Sequence, residues 1–130
     1  MLDTNTCIGL IKQRPEKISA RLSGLDVEDV AISSIVAAEL WYGVALSEKK
    51  KQNEAALRDF LDFVKVLDWP SGACPVCGRI RAHLKKKGTP VGAMDLLIAS
   101  HAAFLSAVLV TDNTGEFDRV PNLKVENWLP

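Results

Sequence analysis

The sequence predicts an α/β fold, an α/β/α sandwich around a mainly parallel sheet. Short apolar runs, such as residues 29–33 and 107–111, alternate with longer amphipathic or wholly apolar segments. No internal repeat, linker or low-complexity tract interrupts that alternation. The 130 residues suit a single domain, taken as 1–130.

Each element has a local reason. Only Met1 and Leu2 precede Asp3, so the first strand is expected to be unusually short, unless the native start lies upstream. Thr4 to Gln13 is expected to form a short helix with Ile8 and Ile11 inward. Pro15 restarts a second helix from a position where proline is tolerated. Residues 29–33 read as a buried strand, and 34–46 as a helix capped by Ser33 or Ser34. Residues 47–66 are amphipathic, with Leu57, Phe60, Leu61 and Val64 on one stripe. Residues 66–69 are expected to be a strand and 70–87 a helix that Gly88 stops. Residues 91–106 are apolar almost all round, which predicts a buried helix. Residues 107–111 form a buried strand, 112–117 a turn, and 123–128 a last strand.

Composition narrows the function. Hydrophobic residues make up 48% and charged residues 25%, as in ordinary soluble proteins. The formal net charge of zero excludes a strongly basic, histone-like binder but allows local basic patches. No secretory signal is visible, and the apolar run 96–110 is short and broken by Ser100, His101 and Ser106. A cytoplasmic protein with no membrane partner is therefore expected. Cys7, Cys74 and Cys77 are expected to be free thiols. Cys74 and Cys77 form a C-x-x-C, the spacing of half a zinc site or a redox pair. No second such pair exists, and only His83 and His101 are at hand to complete a site. Thiols packed or half-exposed on a helix are the simpler reading.

The carboxylates are more telling. Glu48, Glu54, Asp59 and Asp62 lie among lysines on a solvated helix face. Glu39, by contrast, is the only charge between Val30 and Leu46, and Asp95 the only one between Val91 and Thr111. A buried, unpartnered carboxylate costs several kcal/mol. A hydrogen-bonded structural acid is one explanation. Placement favours another. Asp3 and Asp112 end strands, where open α/β sheets bind ligands, and the helical acids Glu39 and Asp95 can reach the same rim. Four converging acids repel one another unless a hard divalent cation joins them. Oxygen donors without histidine or cysteine favour Mg²⁺ or Mn²⁺ over zinc.

Four stretches now resemble a known family: "MLDTNTCI", "ISSIVAAELWYG", "GTPVGAMDLLIASHA" and "LVTDNTGEFDRVPNLKVENW". In order and spacing they are similar to the PIN-domain ribonucleases, in particular VapC-type toxins of toxin–antitoxin modules. The resemblance spans Asp3 to Trp128. It implies a PIN-like sandwich and a Mg²⁺- or Mn²⁺-dependent endoribonuclease with its acids at Asp3, Glu39 and Asp95. A fourth position falls in "TDN", at Asp112 or Asn113. Glu116 is a candidate for an outer role, and Asn5 and Ser33 match small polar positions that hydrogen-bond around the acids. For both, helix capping is the alternative.

The chemistry implied is in-line attack by metal-activated water, leaving a 5′-phosphate and a 3′-hydroxyl. His83 and His101 are expected to be core or surface residues, since each lies alone on a helix. Holding RNA at zero net charge calls for local cations. Lys49, Lys50 and Lys51 form one cluster. Lys85, Lys86 and Lys87, extended by Arg79 and Arg81, form a second that is expected to meet RNA phosphates. The resemblance also implies a homodimer and a cognate VapB-like antitoxin that wraps the toxin and presents a basic side chain to the acids. Trp41 and Tyr42 serve core packing or that contact, with packing expected. Two other functions compete. One is a catalytically silent PIN-like protein-binding module, which would have no need of three costly acids. The other is a Mg²⁺-dependent phosphatase of the haloacid-dehalogenase type, which needs an aspartate where Asn5 stands.

Overall fold

A computed structural model describes residues 1–12, 20 and 22–128. The helix expected from Pro15 falls largely outside the described residues. The elements are α1 (Thr4–Lys12), β1 (Ala31–Ser33), α2 (Ser34–Leu46), α3 (Lys50–Leu61) and β2 (Lys65–Leu67). They continue with α4 (Cys74–Lys86), α5 (Ala93–Phe104), β3 (Val108–Val110), α6 (Thr114–Phe117) and β4 (Lys124–Glu126). No described helix is long and apolar enough to cross a membrane.

The strands are only three residues long, and β1 pairs with β2, and β3 with β4, in parallel. Residues 1–3 join the two pairs. Leu2 bridges Val110 in parallel, its amide donates to Ala31 O at 2.9 Å, and the Asp3 amide donates to Val110 O at 3.0 Å. The resulting order is β2, β1, residues 1–3, β3, β4. The short first strand therefore occupies the centre of the sheet, with partners on both sides. Leu2, Ile32 and Leu109 are fully buried at its heart. Helices α1, α2 and α3 pack on one another, α4 packs on α5, and α2 also touches α5. These elements are those of the expected α/β/α sandwich.

Capping follows the sequence closely. Ser33 Oγ accepts from the Ile35 amide at 3.2 Å and caps α2, whereas Ser34 Oγ accepts from the Trp69 amide. Gly88 takes φ +70° just beyond α4, a conformation that favours glycine.

Four expectations need correction. Ile8 is 37% exposed, and the inward residues of α1 are Thr6, Cys7 and Leu10. Tyr42 is 66% exposed and packs no core, while Trp41 is half-buried with the Arg58 guanidinium 4.9 Å above its ring. Residues 114–117 wind into a helical turn, closed by the Asp118 amide donating to Thr114 O at 2.8 Å. The segment after Pro70 begins as a 3-10 turn, Ser71–Ala73, before α4.

Candidate active site

A chain that starts at the centre of a parallel sheet and later crosses to its other half creates a switch point, the usual place for a ligand. Here it lies between residues 1–3 and β3. Asp3 stands at the carboxyl end of the central segment and is 4% exposed. Its Oδ1 accepts from the Thr6 amide at 2.8 Å, and Thr6 Oγ1 in turn donates to Val110 O at 3.1 Å. Asp3 thus caps α1, and Thr6 pins that helix to the end of β3.

Three further carboxyl groups reach the same rim. Glu39, half-buried on α2, accepts at Oε1 from Thr4 Oγ1 at 2.6 Å. Asp95 lies in the first turn of α5. A helix that precedes a parallel strand runs back against it, so its N-terminus arrives at the carboxyl edge. The Asp95 carboxyl makes no hydrogen bond among the described residues. Burial, and then the charges of Glu116, Glu39 and Asp3, push its carboxyl up to about 6. Glu116, on α6, accepts at Oε2 from Asn113 Nδ2 at 2.6 Å.

The expected residues divide accordingly. Asp3, Glu39, Asp95 and Glu116 come together. Asp112 does not join them: it is exposed, makes no side-chain hydrogen bond among the described residues, and is not one of the charges acting on Asp95. Of the two "TDN" positions, Asn113 is the one hydrogen-bonded to Glu116. Ser33 is turned elsewhere, because its hydroxyl meets His101 Nδ1 at 2.9 Å in the core. Burial pulls that imidazole's pKa down, so His101 is a neutral core residue. Asn5 is exposed and makes no side-chain hydrogen bond among the described residues. Thr4 is the residue that sequence reading under-used: it holds Glu39 rather than steadying Asp3. Asn113 and Glu116 did carry a signal. A polar cap followed three residues later by glutamate marks a helix start.

The donor chemistry suits a hard divalent cation. All four groups are carboxylates, and no lysine or arginine among the described residues pairs with them; the ion pair that forms, Arg58–Glu54, lies on α3. Their mutual repulsion is what a cation relieves. As the side chains stand, no three acidic, histidine or cysteine residues among those described are gathered tightly enough to hold an ion. The donors form an open rim rather than a closed ligand shell.

Arg79, Arg81, Lys85 and Lys86 on α4, and Lys87 at its end, are all exposed, and none pairs with an acid. Beside Glu39, an apolar groove lined by Ile8, Ile11, Leu40, Val44 and Leu57 runs between α1, α2 and α3. It accounts for the exposure of Ile8.

Residues 1–123 match the PIN domain family. The chain belongs to that family. Within it the likeness is to VapC proteins. The tRNA(fMet)-specific endonuclease VapC of Salmonella typhimurium is 44% identical over 128 residues, 98% of this chain and 96% of the relative. Ribonuclease VapC2 of Rickettsia felis is 46% identical over 129 residues, again 98% and 96%. Among solved structures, DNA-bound VapBC from Salmonella typhimurium superposes with a TM-score of 0.92 at 44% identity, covering 99% of this chain and 97% of that one. The PIN fold expected from the sequence is thereby established.

Proposed function

We propose that this chain is a metal-dependent endoribonuclease toxin, neutralised by a VapB-like antitoxin. The observation that carries the reading is the meeting of four carboxylates from four separate elements at one rim, with no cationic side chain among the described residues paired to them. Asp3, Glu39 and Asp95 would hold Mg²⁺ or Mn²⁺, with Glu116 beside them. When bound, such an ion supplies a water of lowered pKa and offsets charge on the scissile phosphate.

The chain's own groups prepare that site. The Thr6 amide fixes one oxygen of Asp3, and Thr4 and Asn113 fix Glu39 and Glu116. These bonds hold like charges together that would otherwise swing apart. Asp95, the one acid without a hydrogen bond, takes up or loses its proton near pH 6. His101 is committed to Ser33, so no histidine acid–base pair serves the rim among the described residues. Cleavage should therefore survive a 2′-deoxy substitution at the scissile nucleotide; loss of cleavage with binding retained counts against water as the nucleophile.

Arg79, Arg81, Lys85, Lys86 and Lys87 give the RNA backbone an exposed, unpaired cationic face. Replacing Lys85, Lys86 and Lys87 by alanine should weaken RNA binding and flatten its salt dependence. An unchanged salt slope would remove them from the interface. The groove beside Glu39 fits an amphipathic antitoxin segment whose basic residue answers the acids. The reading includes a homodimeric toxin, and tRNA(fMet) is the first RNA to try, given the name of a relative.

The reading is tested by end-mapping cellular RNA after brief induction. New 5′-phosphate ends should accumulate at one defined loop with the native chain and vanish with Asp95→Asn. Growth arrest equal in both would separate toxicity from cleavage and favour a silent binding module. Turnover of a small phosphate ester would favour the phosphatase alternative.

A further inference from the structure

The C-x-x-C stands outside the rim and has no part in the chemistry above. Cys74 opens α4 and is exposed; Cys77, one turn on, is half-buried against the core. Both are free. We propose that Cys74 and Cys77 are a redox-active dithiol that closes to an intramolecular disulfide when it meets a low-molecular-weight disulfide such as oxidised glutathione. This inference does not depend on the nuclease reading.

Local winding carries the proposal. Residues three apart on an α-helix share a face, with Cβ atoms roughly 5–6 Å apart. A disulfide needs them at about 3.5–4.5 Å, so the turn must tighten a little. It can do so here at small cost. The chain already winds as a 3-10 helix over Ser71–Ala73, and the Cys74 amide donates to Ser71 O within that winding. In a 3-10 helix, side chains three apart eclipse. Carrying that winding one turn further, through Cys77, stacks the two sulfurs. The first turn of a helix has amides with no intrahelical partner to lose, and Pro75 has no amide hydrogen at all. Gly78, next in line, has open space around it, so the adjustment meets no wall. On the other side the turn is anchored: a Cβ on Gly72 would lie 2.8 Å from the Phe104 ring.

The exposed Cys74 is placed to act first. Its thiolate attacks one sulfur of the oxidant, forming a mixed disulfide and releasing one glutathione thiolate. Cys77 loses its proton and attacks the Cys74 sulfur. The Cys74–Cys77 bond forms and the second glutathione leaves. Two electrons pass from the protein dithiol to the oxidant, which departs as two thiols. Cys7 takes no part, because it is wholly buried in the core.

The test oxidises the reduced, folded full chain with glutathione disulfide in the absence of denaturant, quenches in acid, and only then unfolds the chain for thiol counting and mass spectrometry. Two of the three thiols should disappear with no glutathione retained, and the linked cysteines should be Cys74 and Cys77. A thiol reductant should return all three. Cys77→Ser should stop at a glutathione adduct on Cys74. The proposal is overturned if the native chain keeps a stable adduct on either cysteine, if neither reacts while folded, or if closure needs denaturant.

Discussion

Two helices begin on the same rim, and each brings a carboxyl group to it, yet the two groups are built differently. At the start of α1, Asp3 is buried, caps its helix and is held by an amide 2.8 Å away. At the start of α5, the Asp95 carboxyl has no hydrogen bond among the described residues, and burial and then three other acids push it up to about 6. Asp3 serves the fold and the site together. Asp95 serves the site at the expense of the fold. One rim therefore combines an acid whose loss should weaken the protein with an acid whose loss should relieve it.

The comparison breaks or sharpens under substitution. The largest effect expected is on cleavage: Asp3→Ala and Asp95→Asn should each lower kcat/KM by about 100-fold or more, since on the proposed reading both remove a donor from a metal-activated step. RNA cleavage timed against the native chain checks this. Next come the holders. Thr4→Val and Asn113→Ala should weaken Mg²⁺ affinity by roughly 10–100-fold while leaving the fold intact, as for groups that orient ligands. Titration of cleavage with Mg²⁺ reads that shift, and an unchanged midpoint would demote both residues.

Stability should then part the two helix starts. Asp3→Ala loses a cap and should cost about 1–2 kcal/mol in urea unfolding. Asp95→Asn removes a charge conflict and should raise metal-free stability at pH 7, by on the order of 1 kcal/mol after allowance for the solvent reaching a half-buried carboxyl. A destabilised Asp95→Asn would overturn the contrast. The smallest effect is in pH. Folding raises the Asp95 value from 3.8 to about 6, so the fold prefers its protonated form. That contribution is complete below about pH 4 and is lost as pH climbs through 6. Metal-free native protein should lose stability over this window, and Asp95→Asn should lack that part of the slope. Mg²⁺ should flatten the slope in the native chain alone.

Much of this was legible from residue patterns. Glu39 and Asp95 stood out because a lone charge in an apolar helix is costly, and the structure puts them together. The alternation of strands and helices was clear because a parallel sheet buries its strands on both faces. What stayed hidden was side-chain direction. Asp112 and Asn113 are neighbours, and no periodicity tells which one bonds to Glu116; that depends on α6, a helix of four residues that itself read as a turn. Ser33 was expected among the acids, but its partner His101 lies 68 residues away on another helix, a pairing only the packed core creates. Ile8 looked like a core residue because apolar spacing cannot tell a core from a groove.

The placement of residues 1–3 has a consequence for synthesis. The amino terminus leaves the ribosome first, yet its partners in the sheet include Val108 and Val110. Asp3 thus waits, unpaired on that side, while more than a hundred residues follow it out, and Glu116 emerges later still. A nascent chain has no complete rim until translation is nearly finished. Long-range pairing of this kind is slow to form. On the nuclease reading proposed above, an unfinished chain lacks the rim that cleavage requires.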